Sequence, residues 1–104
     1  MKILLLCSVG MSTSLIVSKM KKSLQEDEQD WVIEAWPVDS FDDIGPSYDV
    51  VLLGPQMSYK KDELTEKANG FGIPLQIIDP FLYGIADGEK ILEMAKEMKE
   101  ESMK

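Results

Sequence analysis

The residue of this sequence best suited to chemistry is Cys7, the chain's only cysteine. It stands where the apolar run at residues 3–6 gives way to a small polar segment at residues 8–14. A thiol between a strand and a helix faces converging backbone N–H groups, which stabilise a thiolate and hold an anion beside it. The pattern therefore predicts a nucleophile next to an anion site.

The segment after Cys7 has the composition of a phosphate-binding loop. Small residues let successive N–H groups turn inward as a nest, and the helix that follows adds about half a unit of positive charge. Gly10 can adopt the positive φ that a nest requires, and Ser12 and Thr13 add hydroxyls. The predicted phosphate-binding residues are Ser8, Val9, Gly10, Met11, Ser12 and Thr13. The alternative is a buried, inert cysteine beside an ordinary helix cap.

Composition bounds the possible chemistry. With 104 residues and 44% hydrophobic content, we expect one domain over residues 1–104, with residues 101–104 as a frayed tail. There is no histidine, and all eleven basic residues are lysines. A Cys/His metal site and an internal cysteine–histidine pair are excluded, and we expect no metal and no cofactor. Any base or phosphohistidine must come from a partner.

Charge indicates which partners to expect. The net charge of −8 argues against nucleic acid. Four lysines are the only charged residues before Glu26, so we expect the Cys7 end to be locally basic: Lys2, Lys19, Lys21 and Lys22. The apolar run before Cys7 is too short for a secretory signal, and no stretch reaches the roughly 18 apolar residues of a membrane span. We therefore expect a cytoplasmic protein.

The elements that must position Cys7 alternate along the chain. We predict strands at residues 2–6, 31–36, 49–54 and 75–78, and helices at residues 13–28, 59–69 and 87–101. Residues 37–46 and 79–84 are predicted as connections with at most a short turn. This order predicts an α/β fold: one open four-stranded parallel sheet with helices on both faces, resembling small tyrosine phosphatases and flavodoxin-like folds.

Finer features of the helices are predicted from capping and periodicity. Residues 12–14 supply N-caps for the first helix, and Asn69-Gly70 closes the second. We expect these side chains to face the core: Leu15, Ile16, Met20, Leu24, Ile85, Ile91, Leu92, Ala95 and Met98.

Three loops are expected to meet at the carboxyl edge of the sheet, where ligands bind in such folds. They are residues 7–14, 55–58 and 79–84, and the predicted site walls or partner contacts are Pro55, Gln56, Met57, Asp79 and Tyr83. Met57 is expected on an exposed loop, where methionine suits an adaptable surface. Tyr83 would hydrogen-bond phosphate or position its loop. For both residues, packing against the core is the alternative.

Two reactions fit a phosphocysteine. A cysteine phosphatase needs arginine six residues after its cysteine, where this chain has Thr13, although Asp79-Pro80 resembles the general acid of that class. The sequence favours the other role of Asp79, which is to turn the chain after a strand. A phosphoryl relay needs neither group, because it must not hydrolyse its intermediate. A response-regulator-like receiver would need an aspartate where the third strand ends in Gly54.

Three segments together resemble one protein family. They are the run from Cys7 to Leu15, the Val51-Leu-Leu-Gly-Pro-Gln-Met57 loop, and Ile78-Asp-Pro-Phe-Leu-Tyr-Gly84 with Asp87-Gly88. This combination resembles the enzyme IIB component of the lactose/cellobiose family of the bacterial phosphoenolpyruvate-dependent sugar phosphotransferase system.

The resemblance implies a four-stranded parallel sheet and a relay. In that relay a phosphohistidine of enzyme IIA donates to Cys7, and the phosphocysteine donates to a sugar bound by the membrane enzyme IIC, at the inner face of the membrane. Cellobiose, chitobiose and lactose all remain open as the sugar.

Overall fold

Four parallel strands form the centre of the molecule. The computed structural model describes residues 1–7 and 11–102, with the side chains of residues 11–13 and 102 left out. The strands are β1 (Lys2–Cys7), β2 (Val32–Pro37), β3 (Val50–Leu53) and β4 (Leu75–Ile77), in the order β2-β1-β3-β4. The predicted α/β fold is confirmed.

Helices connect the strands. They are α1 (Met11–Lys22), α2 (Phe41–Ile44), α3 (Lys61–Phe71), α4 (Pro80–Gly84) and α5 (Gly88–Ser102), with 3₁₀ turns at Glu26–Glu28, Val38–Ser40, Gly45–Ser47 and Pro55–Lys60. Among the helices described, none combines the length and apolar character needed to cross a membrane. The helix α5 extends through Ser102, and residues 103–104 lie outside the described part, so the frayed tail stays a prediction.

Side chains of β1 alternate between two cores. Ile3 and Leu5 pack on the side of α1 and α5, and Leu4 and Leu6 pack on the side of α2 and α3. Every residue from Ile3 to Cys7 has no exposed surface. This run is apolar throughout because helices cover both faces of the parallel sheet.

The first helix differs from its predicted bounds of 13–28. It begins at Met11, so residues 12–14 lie in its first turn instead of capping it, and it ends at Lys22. The acidic run Glu26–Glu28 forms a separate 3₁₀ turn, in which Glu28 Oε1 accepts a hydrogen bond from Gln25 N at 2.9 Å. Carboxylates are favourable at the start of a helix and unfavourable at its end, so α1 stops before them.

Some predicted core positions are wrong. Leu15 is 55% exposed, because the buried stripe of α1 runs through Ile16 and Met20. Leu24 is half-buried against the same core, although it lies beyond the helix. Ile85 is 52% exposed because it follows α4 and precedes α5. The predictions for α5 are confirmed by four buried residues: Ile91, Leu92, Ala95 and Met98.

The expected basic end around Cys7 is also wrong. Because α1 connects β1 to the parallel strand β2, it runs antiparallel to β1. Lys19, Lys21 and Lys22 therefore lie toward the end of the helix that is remote from Cys7. Lys2 begins β1 and lies at the same remote edge. There the lysines of α1 complement the negative end of its own dipole.

Polar contacts tie the amino edge of the sheet together. Asp49 accepts a hydrogen bond from the backbone N of Lys2 at 2.7 Å, which lowers the pKa of its carboxyl, and pairs with Lys99 at 3.4 Å. The Tyr48 hydroxyl donates to Glu34. Burial, reinforced by this bond, raises the pKa of Tyr48 to about 12.

The end of α3 corrects the predicted stop at Asn69-Gly70. Both residues lie inside the helix, and Gly72 ends it in the left-handed conformation at φ 75°. Glycine adopts that conformation without steric cost, whereas Gly70 in a helical turn gains nothing from lacking a side chain. A Cβ at either position would meet no atom within 4 Å.

We therefore expect opposite effects from two matched substitutions. Gly70→Ala should raise the free energy of unfolding by about 0.5–1 kcal/mol, because alanine is the better helix former. Gly72→Ala should lower it by about 1 kcal/mol, because of the left-handed backbone. Urea denaturation measures both, and a change of the same sign for the two variants would contradict the assignment of the helix end.

Candidate functional site

The topology places Cys7 where strand order reverses. From the central strand β1 the chain crosses to β2 on one side and then to β3 on the other. The loops that follow β1 and β3 therefore leave in opposite directions, and a crevice opens between them. Cys7 is the last residue of β1 and lies opposite Pro37 of β2. The nucleophile predicted from the sequence thus sits at the expected ligand position of this fold.

The thiol itself is enclosed. Cys7 is fully buried, and its Sγ lies 3.9 Å from the backbone oxygen of Trp36. Strand alternation assigns Cys7 to the face of Ile3 and Leu5, which α1 covers. The first turn of α1 holds no acidic residue, so the positive end of its dipole is not neutralised from within that turn.

The predicted phosphate loop divides between residues outside the description and the first turn of α1. Ser8, Val9 and Gly10 lie outside the described residues. Met11, Ser12 and Thr13 form the first turn of α1, but their side chains also lie outside the description. Their role as a phosphate cradle stays a prediction.

The loops after β3 and β4 meet, as predicted. The Gly54 N donates to the Leu6 oxygen at 2.9 Å, which joins the end of β3 to β1. The Gln56 side chain lies over Gly54 and its Nε2 donates to the Tyr83 hydroxyl at 3.0 Å. Pro55 opens the 3₁₀ turn that carries Gln56. Of the predicted walls, Gln56 and Tyr83 are thus in direct contact.

Met57 does not lie on an exposed loop. Only 4% of its surface is exposed, and it packs in the core cluster with Leu53 and Leu64. The 3₁₀ turn directs this apolar side chain beneath the loop, because its neighbours Gln56 and Ser58 are the exposed positions. The expected exposure of Met57 is wrong, and the alternative of core packing is confirmed. A role of Met57 as a site wall or partner contact stays a prediction.

Asp79 acts as a helix cap in the structure. Its Oδ1 accepts hydrogen bonds from Phe81 N at 2.8 Å and Leu82 N at 3.4 Å, and Pro80 occupies the first position of α4. These bonds satisfy N–H groups that have no partner within the helix. The role of turning the chain after a strand is therefore the one the geometry supports.

Large apolar side chains are exposed around the carboxyl edge, a feature that the sequence analysis missed. We define the apolar rim as four residues on segments next to this edge: Leu15, Trp36, Tyr59 and Phe81. Phe81 is 70% exposed and Tyr59 is 75% exposed. All four are carried at or just after the carboxyl ends of strands, where an exposed apolar patch would mark an interaction site. Trp36 could have been found from the strand pattern, since it is the last residue but one of an edge strand and pairs with Leu6.

Comparisons with known proteins agree over nearly the whole chain. Residues 2–94 match the family model described as PTS system, Lactose/Cellobiose specific IIB subunit. The oligo-beta-mannoside-specific EIIB component of Bacillus subtilis is 46% identical, covering 90% of this chain and 91% of the relative. The cellobiose-specific EIIB component of Lactococcus lactis is 39% identical, covering 92% and 94%.

Solved structures show the same architecture. The cellobiose-specific phosphotransferase IIB component of Borrelia burgdorferi superposes with a TM-score of 0.81 at 36% identity, covering 98% of this chain and 94% of that one. The lactose-specific IIB domain of Streptococcus pneumoniae shares the fold, with a TM-score of 0.82 at 20% identity over 94% and 96% of the two chains. The chain therefore belongs to the lactose/cellobiose-specific enzyme IIB family of the phosphoenolpyruvate-dependent phosphotransferase system.

Proposed function

We propose that Cys7 is the residue through which this phosphotransferase passes its phosphoryl group. The observation that carries the proposal is the position of Cys7 at the end of the central strand, at the reversal of strand order and ahead of α1. The Cys7 thiolate would attack phosphorus as the N–P bond of a phosphohistidine on enzyme IIA breaks. The S–P bond then breaks as a sugar hydroxyl, having lost its proton, takes the phosphoryl group.

The phosphoryl group on Cys7 would be held by N–H groups of residues 8–13. Ser12 or Thr13 would add a hydroxyl donor. The chain has no arginine to clamp the equatorial oxygens in a hydrolytic transition state. A cradle of backbone amides without arginine suits an intermediate that must survive until its acceptor arrives.

Burial of Cys7 supports dependence on a protein donor. Because Sγ has no exposed surface in the isolated chain, access to it must open when a donor binds. A small phosphate ester brings little binding energy to such a change, whereas a protein brings a whole interface. We propose that the apolar rim provides this interface for enzyme IIA, and that enzyme IIC, with bound sugar, receives the phosphoryl group at the inner face of the membrane.

The sugar is proposed from the family. Two of the relatives are named for oligo-beta-mannoside and cellobiose, and another, 40% identical over 92% of this chain and 94% of its own length, for galactose in Lactococcus lactis. We propose a sugar of the cellobiose, chitobiose and lactose class, with the choice among them made by enzyme IIC.

The first test is the covalent adduct. Incubation with phosphoenolpyruvate, the general phosphotransferase proteins and a cellobiose-type enzyme IIA should add one phosphoryl group to the intact mass of the wild type. Cys7→Ala should show none, because it lacks the sulfur. Cys7→Ser is the matched control for shape, and it too should fail to pass the group to sugar. An adduct that persists in Cys7→Ala would disprove the assignment, while partner-free turnover of an aryl phosphate would favour a phosphatase.

A second test concerns Asp79. Asp79→Ala should lower the free energy of unfolding by about 1 kcal/mol, because α4 loses its cap. D79S retains a capping oxygen and should stay close to the wild type in urea denaturation, although serine cannot serve as a general acid. D79S should also accept phosphate from enzyme IIA. Complete loss of phosphorylation in D79S, with stability preserved, would instead assign acid chemistry to Asp79.

A third test concerns the apolar rim. Phe81→Ala and Trp36→Ala should each raise the enzyme IIA concentration that gives half-maximal phosphorylation by about tenfold, because exposed aromatic residues dominate interface energies. Asp30→Ala is the control, since Asp30 is exposed and precedes β2 at the amino edge of the sheet. Half-saturation unchanged in both rim variants would place the donor elsewhere.

A further inference from the structure

A side-chain hydrogen bond joins two loops of the site. It joins Gln56, on the 3₁₀ turn after β3, to Tyr83 on α4, which follows β4. Gln56 is exposed and Tyr83 is half-buried. An exposed hydrogen bond between side chains competes with water and adds little to the free energy of unfolding. We therefore ask which parts of the site this bond positions.

The Gln56 amide is confined at both ends. Its Nε2 donates to the Tyr83 hydroxyl, and its Oε1 lies so close to Gly54 that a Cβ there would come within 2.8 Å of it. Because Gly54 has no side chain, the Gln56 amide can lie over this position at the end of β3. A side chain at position 54 would displace the amide.

This bond is linked to the strand that carries Cys7. Gly54 N donates to the oxygen of Leu6, the residue before Cys7. Tyr83 packs on the core that contains Leu5, and strand alternation assigns Cys7 to this same face. The Gln56–Tyr83 bond therefore spans the end of β3, beside the strand that ends in Cys7.

We propose that Gln56 and Tyr83 act as one hydrogen-bonded unit that positions the wall of the Cys7 site for phosphoryl transfer. The inference rests on the proposed role of Cys7. Both are positioning residues: they hold the ends of β3 and β4 in one arrangement, so that the incoming phosphoryl group meets a fixed surface. A wall that shifts slows the transfer step itself, because reacting groups must be aligned closely.

The test measures transfer and stability separately. Rapid-quench experiments with saturating phosphorylated enzyme IIA of a cellobiose-type system would compare the wild type, Gln56→Met, Tyr83→Phe and the double variant. Each single change should lower the transfer rate constant by about three- to tenfold, with half-saturation changed less than about twofold. The double variant should be no slower than the slower single one, because both changes remove the same bond.

Tyr48→Phe is the matched control. It removes a tyrosine hydroxyl that also bonds a side chain, Glu34, but at the opposite edge of the sheet. It should lower thermal stability and leave transfer unchanged. Wild-type transfer rates in Tyr83→Phe and Gln56→Met, or effects that multiply in the double variant, would overturn the inference while leaving the Cys7 relay standing. A wild type that accepts no phosphoryl group would overturn both.

Discussion

The central strand β1 determines how its neighbouring strands and the helices on both faces are placed. β1 pairs with β2 along Lys2–Cys7 and with β3 along Ile3–Leu6, and both of its faces are covered. A slip of one residue would exchange the two faces and drive each apolar side chain into the wrong core. The position of Cys7 is therefore set by the packing of the whole sheet, and not by the loop that follows it.

The two edges of the sheet have different tasks. At the amino edge, Asp49 is bonded to Lys2 and Lys99, and Lys96 pairs with Glu28 at 2.8 Å while lying over the Trp31 ring. These contacts hold α5 and the strand entries in place. At the carboxyl edge, the described residues present exposed apolar side chains and the Gln56–Tyr83 hydrogen bond between two loops. The two edges thus differ in the kind of contact they carry.

The sequence was sufficient for elements whose pattern is local. A continuous apolar run such as that of β3 predicts a buried parallel strand. The family resemblance carried by Cys7 and the Gly54-Pro55-Gln56 turn extends over the chain. The sequence was insufficient where a contact depends on the direction in which a helix or a side chain points. The lysines of α1 looked close to Cys7 until the crossover separated them, and Met57 looked exposed until its turn folded inward. The Gln56–Tyr83 bond joins residues that no local pattern connects.

Burial of the Cys7 sulfur affects how readily this thiol is oxidised. Peroxide and disulfide exchange act on thiolates that they can reach, and susceptibility follows exposure. A sulfur with no exposed surface is shielded from both. The enclosure therefore preserves the chain's only cysteine in its reduced form.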